Sequence, residues 1–285
     1  EGRVRVAVAP TIPNQATDEL LDGCAALSRE YGVGIHTHLA ESKVQVVESR
    51  RRWGKSIVAR LADHRVLGPG FVGAHSIWLD DDDLRMLADA GAAVAHNPGS
   101  NLRLGVGIAP VREMLDRGLA VGLGTDGSTC ADNQNLFEAL RIASIISTVR
   151  FPHETARWLD ADTVWSLATS GTARVMGQPG DLGALAPGRK ADLVLLRADS
   201  IFLRPLADPV KALVYAETGA SVDTVLVGGR VVLEGGRVTT VDEHKLYARV
   251  QEAADRHRER AADAWALAGR LAPYVAAACR GAVTT

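Results

Sequence analysis

The stretch Gly32-Val33-Gly34-Ile35-His36-Thr37-His38-Leu39-Ala40-Glu41 decides the fold. Successive residues of a strand point to opposite faces, so Gly34, His36 and His38 share one side while Val33, Ile35 and Thr37 share the other. The branched side suits packing beneath helices, and the small, polar side suits the interior of a barrel. The same division recurs at 120–126, with Ala120, Gly122, Gly124 and Asp126 on one side and Val121, Leu123 and Thr125 on the other. Gly73 and His75 are expected to repeat it. In each run the last inward residue is a potential ligand or proton carrier.

Working outward, apolar runs alternate with amphipathic helical patterns through the first 180 residues or so, the rhythm of a parallel sheet covered by helices. Strands are expected over 4–9, 32–38, 70–75, 92–96 and 120–126, with helices over about 17–31, 42–61, 81–90 and 110–117. Further helices are expected at 135–148 and 161–176. The acidic run 80–83 sits where a helix begins and reads as its cap, complementing the helix dipole. Composition shifts at the Gly/Pro-rich segment 180–190 into short β-type runs at 191–196, 222–227 and 230–234, with Gly228-Gly229 reading as a hairpin turn. From 242 onward the pattern is helical and Ala/Arg-rich. The expected organisation is therefore 1–179 as an α/β barrel portion, 180–237 as part of a β-sandwich and 238–285 as a C-terminal helical extension packed on the outside.

Composition narrows the function classes. A chain of 285 residues that is 47% hydrophobic can bury a sizeable core. Its 32 basic and 34 acidic residues are interspersed, leaving a net charge of −2 and no basic face for nucleic acid. No apolar run reaches the roughly 18–20 residues that span a bilayer. Cys24, Cys130 and Cys279 are too scattered for a disulfide framework or a thiolate zinc site, which fits a cytoplasmic protein. A small molecule is the expected partner. The chain starts at Glu1 and enters a strand almost at once, so preceding sequence is expected.

Residues at the C-terminal ends of barrel strands converge despite long separation in sequence. A neutral imidazole from His38 and a carboxylate from Asp126 suit Zn²⁺ or Fe²⁺, which lowers the pKa of a bound water. Glu41, just beyond His38, is placed to carry protons to a leaving nitrogen, and His75 to orient water or polarise the electrophile. His96, Asn101 and Arg103, with the loop at 130–134, are candidate substrate contacts. Singly, each has a plainer reading: strand-end histidines are often merely hydrogen-bonded, and Thr125-Asp126-Gly127 is ordinary turn chemistry. Four such groups at strand ends weaken that reading together. His64, His153, His244 and His257 lie in helical or loop contexts and read as surface residues.

The pattern His36-Thr37-His38-Leu39-Ala40-Glu41, Gly73-Ala74-His75, His96-Asn97-Pro98-Gly99-Ser100-Asn101-Leu102-Arg103-Leu104 and Gly124-Thr125-Asp126-Gly127-Ser128 resembles the amidohydrolase superfamily, in its cytosine deaminase and triazine hydrolase branch. The tail motif from Gly183 to Val194 adds to the likeness, which covers essentially the whole chain. The resemblance implies a (β/α)8 TIM-type barrel, of which this chain carries strands 4–8, with part of a small β-sandwich. It implies His38 and Asp126 as metal ligands from strands 5 and 8, Glu41 as a substrate-contacting proton shuttle and His75 as the strand 6 catalytic histidine. It further implies one divalent metal, Zn before Fe, and hydrolytic deamination of an amino-substituted N-heterocycle (purine, pterin, nucleoside or triazine type) by metal-bound hydroxide.

Family members also carry a His-x-His pair at the end of strand 1, and no such pair precedes the run at 4–9. Strands 1–3 and two metal ligands are thus expected to come from outside the chain as given. An open sheet of this kind exposes strand edges and barrel interior, a state prone to aggregation. A homo-oligomer, or the missing N-terminal part of the barrel, is the expected protein partner. Two alternatives stand beside deamination: dechlorination or other C–X hydrolysis at the same site, and a catalytically incompetent fragment or assembly subunit.

Overall fold

A computed structural model of the chain describes residues 4–284; Glu1, on which the expectation of preceding sequence rests, lies outside them. In chain order the elements are β1 (Ala7–Val8), α1 (Asp18–Tyr31), β2 (Gly34–Leu39), α2 (Lys43–Trp53), α3 (Ile57–Asp63), β3 (Phe71–His75) and α4 (Asp81–Asp89). There follow β4 (Ala93–His96), α5 (Pro98–Arg103), α6 (Val111–Asp116), β5 (Ala120–Leu123), α7 (Ser128–Ala131), α8 (Leu136–Arg150), α9 (Ala161–Ser166) and α10 (Thr172–Val175). The rest of the chain forms β6 (Leu193–Leu196), α11 (Pro209–Tyr215), β7 (Val222–Val227), β8 (Arg230–Glu234), β9 (Arg237–Val238), α12 (Glu243–Arg260) and α13 (Ala262–Thr284).

Two compact units emerge. One takes the chain up to Arg189 together with Asp199–Ala220, the other Lys190–Ala198 together with the chain from Ser221 on. The first unit holds a five-stranded sheet in the order β1-β2-β3-β4-β5, all parallel, as the βα rhythm requires. The second holds an antiparallel sheet β6-β7-β8-β9, with Gly228 and Gly229 at positive φ in the hairpin between β7 and β8. α12 and α13 belong to this unit. No helix among the described residues is long and apolar enough to cross a membrane.

Register sorts the side chains into two rows. Thr37, Gly73, Val94 and Val121 are successive neighbours across β2 to β5, and so are His38, Ala74, Ala95 and Gly122. The first row faces the helices. Ile35, Leu39, Phe71, Val94 and Val121 are almost wholly buried there, along with Leu61 of α3, Leu87 of α4 and Met114 of α6. Burial of each such side chain contributes about 1.5–3 kcal/mol, which is why these short strands stay in one sheet. The second row is small apart from His38, and at Gly122 the missing side chain leaves room for Thr172 and Val175 of α10.

Several elements depart from the sequence reading. Pairing with β2 keeps only Ala7–Val8 of the expected strand at 4–9, and the strand expected to reach Asp126 ends at Leu123. The helix expected over 42–61 is two, because Gly54 adopts a left-handed cap at φ 67° and Ser56 starts α3 by accepting from Ala59 N–H. The helix expected over 161–176 is interrupted by a π-helical turn at Leu167–Gly171, where the Thr172 hydroxyl bonds Leu167 O and also accepts from Leu123 N–H. The 98–103 segment, for which no helix is expected, is the short helix α5. The tail is two helices rather than one, with α12 ending at Arg260, and it exposes Trp265, Tyr274 and Val275. The acidic cap stands: Asp80 and Asp83 form a reciprocal capping box at the start of α4.

Candidate active site

His38, next to last in β2, is held from behind. Its Nδ1–H donates to the Thr11 carbonyl at 2.5 Å, and its backbone N–H reaches the same oxygen at 3.2 Å. Thr37, one residue earlier, donates its hydroxyl to Pro10 O. The loop after β1 therefore fixes the tautomer and leaves Nε2 as the free nitrogen, the arrangement that prepares an imidazole to bind a cation.

His75 enters differently. It lies opposite Leu39, so ideal alternation sends it to the helix-facing row, against the expectation that Gly73 and His75 repeat the inward pattern. A left-handed φ of 67° at His75, followed by 51° at Ser76, swings it out of the pleat. Such backbone costs on the order of 1–3 kcal/mol in a non-glycine residue and needs surrounding bonds to hold it. Ser76 N–H donates to Leu39 O at 2.9 Å, and the amides of Ile77 and Trp78 donate to Ala40 O at 3.1 and 3.0 Å. The rotated ring stacks on His38, with centroids 5.4 Å apart and planes at 15°.

From that position His75 Nε2 lies 3.9 Å from Glu41 Oε1 and 3.9 Å from Asp126 Oδ2. His75 is 1% exposed, against 17% for the Glu41 side chain and 22% for Asp126, so the imidazole forms the back of the cluster and the carboxylates its mouth. Glu41 sits beyond Ala40, itself at φ 45°, and its N–H is taken up by Gln45 Oε1 at 2.8 Å.

Asp126 is delivered by the loop after β5. Gly124 makes the approach possible, since a Cβ there would collide with Asn97 Oδ1. Asp126 has φ 61°, its Oδ1 accepts from Gly127 N–H at 2.7 Å, and its Oδ2 accepts from Ser100 Oγ at 2.6 Å. Burial pushes this carboxyl up, but the bonds from Ser100 and Gly127, with His75 and His38 close by, reverse the effect and hold its pKa below the ordinary carboxylate value.

The remaining sequence candidates are dispersed around this core. Asn101 is buried against His75, whose Nδ1 meets Asn101 Oδ1 at 2.8 Å. His96 is buried on the helix-facing row, and desolvation, with repulsion from His75, depresses its pKa to about 4. Arg103 turns away to pair with Asp132 at 2.5 Å, and Cys130 lies on the short α7. His64, read as a surface residue, is half-buried between Asp18 and Asp22. Sequence reasoning missed Thr11, Gln45 and the role of Ser100; only Ser100 carried a signal, being part of the quoted 96–104 motif. A cavity of about 500 Å³ lies beside Arg50, Trp78, Asp80, Ile108 and Arg150 and includes none of the cluster, so concavity alone does not locate the chemistry.

His38 with its free Nε2 and Asp126 with its anionic carboxylate fit as two donors to a divalent metal. Among the described residues no group of three or more His, Cys, Asp or Glu side chains is arranged to hold one. Two donors are half of a four-coordinate shell.

A parallel sheet whose strand ends gather two imidazoles and two carboxylates is the arrangement of the barrel-type hydrolases. The amidohydrolase family model matches residues 1–232, and the chain belongs to that family. It is 39% identical to the 5'-deoxyadenosine deaminase of Methanothermobacter thermautotrophicus over 254 residues, covering 89% of this chain and 58% of that protein. It is likewise 39% identical over 256 residues to the 5-methylthioadenosine/S-adenosylhomocysteine deaminase of Symbiobacterium thermophilum, covering 90% and 58%. Among solved structures, a zinc-bound adenosine deaminase from Xanthomonas campestris superposes with a TM-score of 0.87 at 26% identity, over 91% of this chain and 58% of that one. Zinc-complexed atrazine chlorohydrolase TrzN from Arthrobacter aurescens gives 0.84 at 33% identity, over 88% and 55%. The chain thus spans less than two thirds of the length of these relatives.

Proposed function

We propose that this chain contributes His38, Glu41, His75 and Asp126 to the active site of a metal-dependent aminohydrolase of the cytosine deaminase and triazine hydrolase branch, acting on an adenosine-type nucleoside. The observation that carries the reading is the position of His75 Nε2, 3.9 Å from both Glu41 Oε1 and Asp126 Oδ2, beside the stacked His38 ring. Proton donors and acceptors gathered this closely at strand ends suit hydrolysis at an electron-poor ring carbon. The substrate class follows the printed names of the deaminase relatives.

His38 and Asp126 would hold the metal, zinc by likeness to the zinc-bound neighbours, which when bound acidifies water and stabilises developing negative charge. Asp126 is kept anionic by Ser100 and Gly127 and takes up the proton released by the attacking water. As the bond from the water oxygen to the ring carbon forms and the carbon–nitrogen bond breaks, Glu41, at the mouth of the cluster, gives a proton to the departing amine, which leaves as ammonia, and the water-derived proton on Asp126 restores the Glu41 carboxyl. His75 orients the attacking water by accepting a hydrogen bond at Nε2, its position set by the backbone turn and by Asn101.

The test is ammonia release by the zinc-loaded full-length product of the encoding gene, with 5'-deoxyadenosine, 5'-methylthioadenosine and adenosine as substrates. Release from at least one of them is the expected result; no ammonia from any amino-substituted heterocycle overturns the reading. The likeness to the chlorohydrolase favours a second reading, C–Cl hydrolysis at the same residues, which chloride release from a chlorotriazine without ammonia release from nucleosides would identify.

A further inference from the structure

The side chain that sets the chemistry of His75 is Asn101. Its position in the sequence suggested a substrate contact, yet it is 1% exposed and its amide oxygen faces the imidazole rather than open space. An amide oxygen only accepts, so the 2.8 Å contact requires the proton on His75 Nδ1. That leaves Nε2 as the nitrogen turned to Glu41 and Asp126. The amide nitrogen, Asn101 Nδ2, is buried without a hydrogen-bond partner among the described residues, so the polar contact of this side chain is directed at His75.

Position in the fold explains why this residue has the task. The left-handed turn at His75 throws the ring off the strand, and the β3 ladder no longer holds its plane. α5 follows β4 directly and sets two consecutive side chains on the cluster, Ser100 on Asp126 and Asn101 on His75.

Resting on the proposed part of His75 in the reaction, we infer that Asn101 is a positioning residue: its amide oxygen holds the His75 ring in the Nδ1–H form and aims Nε2 at the space between Glu41 and Asp126. Asn101 acts through His75 and does not itself contact substrate. The variant Asn101→Leu keeps the branching at Cγ and removes the acceptor, whereas Asn101→Asp keeps an oxygen acceptor at the same place.

The first readout is independent of activity. In the full chain labelled with [15N]-histidine, with the His75 signals assigned by their loss in His75→Gln, two-bond 1H–15N spectra at about pH 8.5, above the ordinary imidazole range, report which ring nitrogen bears the proton. Nδ1 carries it in the wild type and in Asn101→Asp, and loses it in Asn101→Leu. A wild-type Nδ1 without a proton, or an unchanged pattern in a folded Asn101→Leu protein, overturns the assignment. The second readout uses the full-length enzyme: Asn101→Leu lowers kcat on the order of 10²-fold with KM almost unchanged, as misorientation of one group does, and Asn101→Asp recovers most of it. Equal loss in both variants, or an effect on KM alone, overturns the positioning role. Absence of ammonia release from the wild type overturns the proposed function instead, and the spectra still decide the tautomer.

Discussion

His75 stacks on His38 at 5.4 Å although the parallel register assigns the two to opposite faces of the sheet. The reversal comes from a single left-handed residue, His75 itself, locked by amides that hang on the Leu39 and Ala40 carbonyls. A sheet with ideal alternation separates the imidazoles; this one brings them together and spends local strain to do so, a pattern common where chemistry is placed.

Asp126→Asn keeps the shape of the loop and removes the negative charge and the proton acceptor. In the full-length enzyme it is expected to reduce ammonia release by several orders of magnitude, the usual scale for loss of nucleophile activation. Turnover near that of the wild type, measured with the same metal content, would refute the assignment of Asp126.

Ser100→Ala deletes the donor to Asp126 Oδ2 and nothing else in the cluster. A hydrogen bond to a charged group contributes roughly 1.5–3 kcal/mol, so urea unfolding is expected to show a loss of about 2 kcal/mol. Ammonia release should fall with it, and an unchanged unfolding midpoint would remove Ser100 from the support of the carboxylate.

His96 produces a pH dependence of stability. It is buried and neutral, with a folded pKa of about 4 against an ordinary 6.5, so the unfolded chain binds its proton first. Its contribution is complete above 6.5 and is lost as pH falls from there toward 4. The full loss is on the order of 3 kcal/mol, and His96→Gln should flatten the stability profile across that interval. Parallel profiles for the two proteins in urea titrations would exclude the effect.

Gly124→Ala places a methyl group on Asn97 Oδ1. The displaced loop is expected to cost about 1–3 kcal/mol and to lower zinc affinity in the full-length protein by moving Asp126. A thermal midpoint equal to that of the wild type would mean that the loop yields without strain.

Arg60→Met tests how α3 anchors the segment 13–18 that follows β1. The buried guanidinium donates to Pro13 O and Ala16 O, pairs with Asp18 at 2.6 Å and lies 3.9 Å over the Trp53 ring. Asp18 is exposed, so the cost comes mainly from two stranded carbonyls and the lost stacking, about 2–4 kcal/mol in chemical unfolding. The bond from Arg60 holds the Asp18 pKa below its model-compound value, so this pair's contribution is present at neutral pH and disappears as pH falls through that lowered value.

Much of the sheet was readable because burial on one side imposes period two: Ile35, Thr37 and Leu39 are buried while His36 is exposed. The Asp80 cap and the Gly228-Gly229 hairpin were readable because their chemistry is local. Helix interruptions at Gly54 and at Leu167–Gly171 were not, since the first rests on a left-handed cap within an otherwise continuous pattern and the second on a Thr172 bond to a strand distant in sequence. The inward direction of His75 was anticipated for the wrong reason: alternation does not supply it, and the backbone turn does.

The sequence by itself determined that a parallel sheet would form, that His38, Glu41, His75 and Asp126 would stand at strand ends, and that the family would be the amidohydrolases, because hydrophobic period and motif order are local properties of the chain. Only the tertiary structure decided that His75 turns back onto His38, that Thr11 fixes the His38 ring, and that Ser100 and Asn101 of one short helix hold Asp126 and His75. The reason is physical. Each of these contacts joins segments whose approach depends on how loops leave the sheet, and a loop's path is set by the close packing of the strands and helices that it connects.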